Sequence, residues 1–245
     1  MLPWLSELAD RFGARAGRVE LVAIEALMRT PVAIDPHHPV MLEGALACAG
    51  IALVTGRTAD EVGFAPGVHV DVPVPIADAA RGDYKVARIS QASGAGLGVV
   101  RYVRKRTRTD ALALRRVDET CADFKALNMP VVARLYTILT WHAPADADRL
   151  RELLRVVHAL GRGRQGGLGA VGGWRVRPAA QDRSWIDPNT GAPTRPLPVA
   201  TRADAAAEFG AGVQVARIGY RAPYWHTACA TLCAVPPLPP AEGLP

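Results

Sequence analysis

Only four cysteines (Cys48, Cys121, Cys229 and Cys233) are spread through the 245 residues, too few for a disulfide framework to hold a chain of this length. No apolar run approaches the roughly 18 residues of a membrane helix, so no membrane partner is expected. Glu7, Asp10 and Arg11 interrupt the first apolar stretch, which argues against a secretory signal and for a cytoplasmic location. The chain also lacks a Lys-Ser or Lys-Thr pair behind a glycine-rich turn, which argues against a phosphate-loop NTPase. Acids are scarce in one place. Residues 84–116 hold Lys85, Arg88, Arg101, Arg104, Lys105, Arg106, Arg108, Arg115 and Arg116 against Asp110 alone. That local excess is larger than the net charge of +6 on the whole chain, so the remainder is slightly acidic.

What is present fits a globular protein. Apolar residues make up 49% and charged residues 21% of the chain, enough to bury a core. The isoelectric point near 9.5 favours a polyanionic partner. Charge concentrated in one stretch is what a phosphate-tracking surface needs, because each neutralised phosphate releases condensed counterions. A solvated basic loop that only aids solubility is the plainer explanation; the clustering ranks it second.

Residues 4–16 read as a short amphipathic helix, and 19–28 (VELVAIEALM) as a central strand ending before Pro31. Residues 40–54 follow as a buried helix. The prolines at 66, 73 and 75 mark a loop or edge strand over about 66–82. Two strand-like pieces, YKVARI and VVRYVRK, flank the flexible segment 90–98, which predicts a long basic hairpin over about 84–118. Residues 130–142 form a further strand. The clearest helix is 146–160, where Leu150, Leu153, Leu154, Val157 and Leu160 share a face. Strand-like AVGGWRVRP comes next, then an irregular 179–212, a final strand 213–220, and a proline-rich tail over 236–245 expected to be disordered. The expected organisation is an N-terminal helix (1–18), an α+β domain of ferredoxin-like or RRM-like type (19–178) carrying the hairpin, and an irregular C-terminal extension with its final strand (179–235).

Gly161, Arg162, Gly163, Arg164, Gln165 and Gly166 match G-x-G-x-x-G. A dinucleotide fold places that motif after a strand and before a helix, and here the order is reversed, so that fold is rejected. The glycines let the backbone approach a ligand, Arg162 and Arg164 can fork onto phosphate oxygens, and backbone N–H groups can add anion contacts. The alternative is a plain surface turn. His37 and His38 in DPHHP could supply a general base for metal-free RNA cleavage, although adjacent histidines there serve equally as turn residues. His142 and His158 are expected to be packed or hydrogen-bonded. His226, Cys229 and Cys233 offer half of a zinc site, with buried core thiols the better reading of the two cysteines. Tyr220, Tyr224 and Trp225 beside Arg221 suit either core packing or stacking on a partner.

The segments LVAIEALMRTPVAIDPHHPVMLEGALACA, DFKALNMP (123–130), GRGRQGGLGAVGGW and RAPYW (221–225), taken in this order, resemble the RAMP-type subunits of CRISPR effectors, closest to the type IV branch of the fifth Cas family. The resemblance covers most of residues 19–226. It implies an RRM-like (RAMP) domain that caps the 5′ handle of the guide RNA. The basic hairpin becomes a thumb, Arg101 to Arg116 included, that touches RNA and the adjacent backbone subunit. It adds Phe124 and Lys125 to Gly161–Gly166 as RNA contacts. A large or small effector subunit is a further implied partner, and contact with target DNA stays open. No cofactor, metal or catalytic residue is expected on this view. The alternatives are a metal-independent endoribonuclease that processes precursor guide RNA and a general RNA-binding module. RNP1-type interleaved aromatics are missing, which puts base stacking on the sheet in doubt.

Overall fold

The structure is a computed structural model that describes residues 3–33, 40–58, 71–104, 128–161, 164, 167–222, 224 and 227–237, without the side chains of 101–104, 128–130 and 132. Its elements in chain order are α1 (Pro3–Phe12), β1 (Val19–Met28), β2 (Val32–Ala33), α2 (Leu42–Thr55), β3 (Asp78–Arg81), β4 (Tyr84–Ala87), β5 (Gly96–Arg104), β6 (Asn128–Tyr136), β7 (Ile138–Asp146), α3 (Ala147–Leu154), β8 (Val171–Pro178), β9 (Leu197–Pro198), α4 (Arg202–Phe209), β10 (Gln214–Gly219) and β11 (Ala230–Val235), with one turn of 3-10 helix at Thr227–Cys229. The protein is therefore of mixed α+β type with small antiparallel sheets. No helix among the described residues is long and apolar enough to cross a membrane.

The central sheet runs β7-β1-β8, antiparallel throughout. Alternation sorts its side chains by face. Val22, Ile24 and Ala26 of β1 and Leu139, Trp141, Ala143 and Ala145 of β7 are buried against the helices. Leu8 and Phe12 of α1, Leu42, Leu46 and Ile51 of α2, and Leu150, Leu153 and Leu154 of α3 complete that core. Trp141 is fully buried and donates its indole N–H to the Val40 carbonyl at 2.9 Å, so the largest side chain of the core leaves no unpaired polar atom. Ile76 and Ser93 bridge to Ala145 and Thr140 of β7, and lie along its outer edge.

The periodic residues predicted for 146–160 are all buried, but the helix stops at Leu154 and the chain turns through 155–160. Asp146 starts it, accepting from the Arg149 N–H and pairing in fork geometry with Arg15, Nε to Oδ2 at 2.5 Å and Nη2 to Oδ1 at 2.9 Å. This pair ties the segment after α1 to the start of α3.

Three expectations need correction. YKVA does not flank the long basic hairpin: β4 pairs with β3 through the two-residue turn Gly82-Asp83, where Gly82 takes φ +56° as such turns require. The long hairpin is instead β5 with β6, Gly96 opposite Tyr136 and Arg104 opposite Asn128. Residues 130–142 are not one strand, because the chain breaks at Thr137, whose carbonyl accepts the Met28 N–H; β6 joins β5 while β7 enters the central sheet. Residues 179–212 contain β9 and α4, the helix capped by Thr201, whose hydroxyl accepts from the Asp204 N–H at 3.1 Å.

The extension forms its own sheet, β10-β11-β9. Val86 of β4 packs there with Leu197, Tyr220 and Cys233, so β3 and β4 belong with the extension. Arg195 anchors it to α2. Its guanidinium is fully buried and donates to Glu43 at 3.2 Å, to the Ile89 carbonyl at 3.2 Å, and to the carbonyls of Ala87 and Tyr220. Glu43 also accepts from the Ala222 N–H and the Tyr224 hydroxyl.

Candidate nucleic-acid interface

The described part of the glycine-rich loop meets the β5–β6 hairpin through β2. The glycine-rich loop connects α3 to β8 and is pinned at both ends. Leu160 N–H donates to the Gly169 carbonyl and Gly169 N–H to the Pro31 carbonyl, while Ala170 N–H donates to the Thr30 hydroxyl at 2.8 Å. Gly161 and Gly169 are needed for the fold itself. Both have positive φ, and a Cβ would lie 3.0 Å from Val32 at Gly161 and 1.8 Å from the Leu160 carbonyl oxygen at Gly169. Leu168, 1% exposed, packs with Ala33 and Ala133, with Val99 and Val131 around them. Ala133 and Val99 are register partners in β6 and β5, and β2 pairs with β6 at Val32–Arg134 and Ala33–Ala133. The loop is thereby fixed against the base of the basic hairpin.

Arg164 is exposed on the loop, and its carbonyl accepts the Gly167 N–H. Arg162, Gly163, Gln165 and Gly166 lie outside the described residues, as do Lys105, Arg106, Arg108, Arg115, Arg116, Phe124 and Lys125. The backbones of Arg101 and Arg104 stand in β5, opposite Val131 and Asn128. The strands carry the chain away from this junction at about 3.3 Å per residue. Lys85 and Arg88, counted in the basic stretch, are neutralised. Lys85 pairs with Asp71 and Asp78, each at 2.9 Å, and Arg88 pairs with Asp182.

Sequence reasoning missed three further arginines. Arg134 sits at the hairpin base, opposite Gly98 on one side and Val32 on the other. Arg175 and Arg177 project from the face of the central sheet that the helices leave uncovered. There Arg177 pairs with the buried Glu25, and Arg175 stands directly across from the same residue. Alternation in AVGGWRVRP carried the signal, since Trp174 and Val176 face the helices and Arg175 and Arg177 must face away. His142 shares that open face and is half-buried. Burial first, and the nearby Arg183 second, hold its imidazole below the ordinary value, so it is neutral at neutral pH.

Other candidates resolve differently. His37, His38, His226, Trp225 and Cys121 lie outside the described residues. Cys229 and Cys233 are buried core thiols, and burial pushes Cys233 up to about 12. Tyr220 is buried edge-to-face on Tyr84, ring centroids 5.2 Å apart. The Tyr224 hydroxyl is engaged by Glu43, and burial raises it well above its usual range. These two rings serve internal packing. His158, expected to be packed or hydrogen-bonded, is exposed in the turn after α3. No family model matches the chain, and no curated protein matches it.

Proposed function

We propose that this chain binds RNA as a non-catalytic structural subunit of a type IV CRISPR ribonucleoprotein. It caps the 5′ handle of the guide and turns nothing over. The observation that carries this reading is the buried cluster that Leu168 forms with Ala33 and Ala133. It holds an arginine- and glycine-rich loop against the root of a hairpin that carries Arg101 and Arg104 in β5 and runs on into Lys105, Arg106, Arg108, Arg115 and Arg116. One polyanionic strand bound at Arg164 and along the hairpin would then meet cations of both regions. The order β1-α2-β7-α3-β8, the arrangement β7-β1-β8, and the bridges on the outer edge of β7 support a ferredoxin-like RAMP domain. Ala23, Glu25, Thr140, His142, Arg175 and Arg177 on the open sheet face include no Phe, Tyr or Trp, which favours grip on phosphates over stacking of bases. The thumb would meet the adjacent backbone subunit, and a large or small effector subunit would complete the assembly.

The test is RNA affinity of the full chain across salt. If about six phosphates are neutralised, log K falls against log salt with a slope near −4 for a single strand. Replacing Arg162 and Arg164 together by Ala weakens binding and leaves the fold intact, and a repeat-derived 5′ end outcompetes unrelated RNA. Affinity indifferent to salt and to both substitutions overturns the reading. Equal affinity for every RNA reduces it to a general RNA-binding module.

A further inference from the structure

A groove lies between the end of α3 and the edge strand β8, beside the two stems of the glycine-rich loop. β8 is the edge strand. Ala179 N–H donates to the Leu21 carbonyl, and the register continues with Ala23 opposite Arg177 and Glu25 opposite Arg175. In an antiparallel pair, bonded and non-bonded positions alternate. Arg175 and Arg177 therefore bond to β1, while Trp174 and Val176 turn their backbone groups to the open edge. The Val176 carbonyl shows this direction by accepting from Arg151 at 3.5 Å. Beside the edge run the end of α3 and the turn after it. Between them opens a groove of about 450 Å³, floored by Leu154, Val157 and Trp174 and rimmed by Arg151, Arg155 and His158, with no carboxylate in its lining. The nearby acids are already engaged, Asp148 by Arg151 at 3.2 Å and Glu152 by Arg11 at 2.9 Å. At Gly173 a Cβ would meet only Leu27, at 3.8 Å. Packing leaves room for a side chain there, and glycine keeps the strand's backbone bare.

We propose that this groove binds an extended acidic segment of a partner protein, added as a further strand on the edge of β8. The backbone of the segment pairs with Trp174 and Val176. Its alternate apolar side chains enter the floor, and its carboxylates face Arg155 and His158. A peptide is favoured over a polynucleotide because an edge strand offers carbonyl acceptors as well as N–H donors, and phosphates can use only the donors. The inference is independent of the RNA reading, since neither Arg155 nor His158 belongs to the proposed RNA contacts.

The experiment selects phage-displayed random octapeptides on the full chain and, in parallel, on the double variant Arg155→Glu, His158→Glu. Both positions are exposed, and circular dichroism checks that the variant folds. The expected winners alternate apolar and acidic residues and bind the parent chain at least about tenfold more tightly than the variant. They lose binding when alternate peptide amides are N-methylated, and single-stranded RNA does not displace them. Winners without acidic excess, equal affinity for the variant, indifference to N-methylation, displacement by RNA, or no enrichment at all would each overturn the proposal.

Discussion

Leu168 of the glycine-rich loop shares one buried cluster with Ala133 of β6, the two side chains 1% and 0% exposed. This small cluster joins two parts of the chain that are separated by β7 and α3. Removing it tests whether the loop and the hairpin act as one surface. Leu168→Ala is expected to cost about 2–5 kcal/mol, the usual range for a buried leucine. It should also weaken RNA binding while the chain is still folded, because the loop loses its seat. Urea denaturation gives the first quantity and RNA titration well below the unfolding midpoint gives the second. RNA affinity equal to that of the parent chain would show that loop and hairpin bind independently.

Within the same loop, two glycines should answer differently to one added methyl group. Gly167 and Gly169 both take positive φ, but a Cβ at Gly167 meets nothing within 4 Å while one at Gly169 would lie 1.8 Å from the Leu160 carbonyl oxygen. Gly167→Ala is expected to cost about 1–2 kcal/mol, the left-handed penalty alone. Gly169→Ala should exceed about 3 kcal/mol, because backbone must move as well. Equal losses in urea midpoint would mean that the loop is not pinned at Gly169.

The contrast between these glycines marks the limit of what the sequence made legible. Spacing placed Leu150, Leu153 and Leu154 on the core face of α3, and the apolar run of β1 announced a central strand, because both signals are local and periodic. The joint at Leu168 had no such signal. It depends on β2, two residues long, bringing Ala33 beside Ala133, and no local pattern predicts so short a pairing. The Gly82-Asp83 turn is legible in principle, but YKVARI resembles VVRYVRK in charge, and that likeness hides its pairing with DAAR just before it. β11 was missed for a related reason. Its sequence, ATLCAV, is read as easily as a source of metal ligands as a buried strand, and only its pairing with β10 separates the two. In the candidate site, Arg162 and Arg164 stood out by composition. Arg175 and Arg177 needed the face assignment that Trp174 and Val176 provide.

The link between Arg195 and Glu43 leads to a prediction about the extension. A buried guanidinium with its carboxylate removed is an uncompensated charge, so Glu43→Gln should cost about 3–5 kcal/mol, and Arg195→Met a similar amount by stranding Glu43. The double variant should cost less than the sum of the two, since each single change already breaks the pair. It should not return to the parent value, because the Ala222 N–H and the Tyr224 hydroxyl also rely on Glu43. A double-mutant cycle in urea measures the coupling. Limited proteolysis should show cleavage after about residue 179 appearing first in the single variants. Additive losses would mean that the extension is held by its own sheet and owes nothing to α2.

Acid should act through Asp146. Its carboxylate is 2% exposed, accepts both ends of the Arg15 fork and starts α3. The hydrogen-bonded guanidinium, first among the causes, holds it below the usual carboxylate value of 3.8 despite burial. A group with a depressed folded-state pKa stabilises fully above its unfolded value, and that contribution is lost as pH falls through the folded value. Asp146→Asn should therefore lower stability at neutral pH by about 1–3 kcal/mol, the cost of a charged hydrogen bond and a weakened cap. The gap from the parent chain should narrow as pH drops below about 4, where the parent loses the same interaction. Arg15 is 41% exposed, so added salt should shrink the neutral-pH gap in part. Urea midpoints measured from neutral pH downward decide the matter. A gap that stays constant into strong acid would assign the loss to packing around α3, and the charge on Asp146 would then contribute nothing.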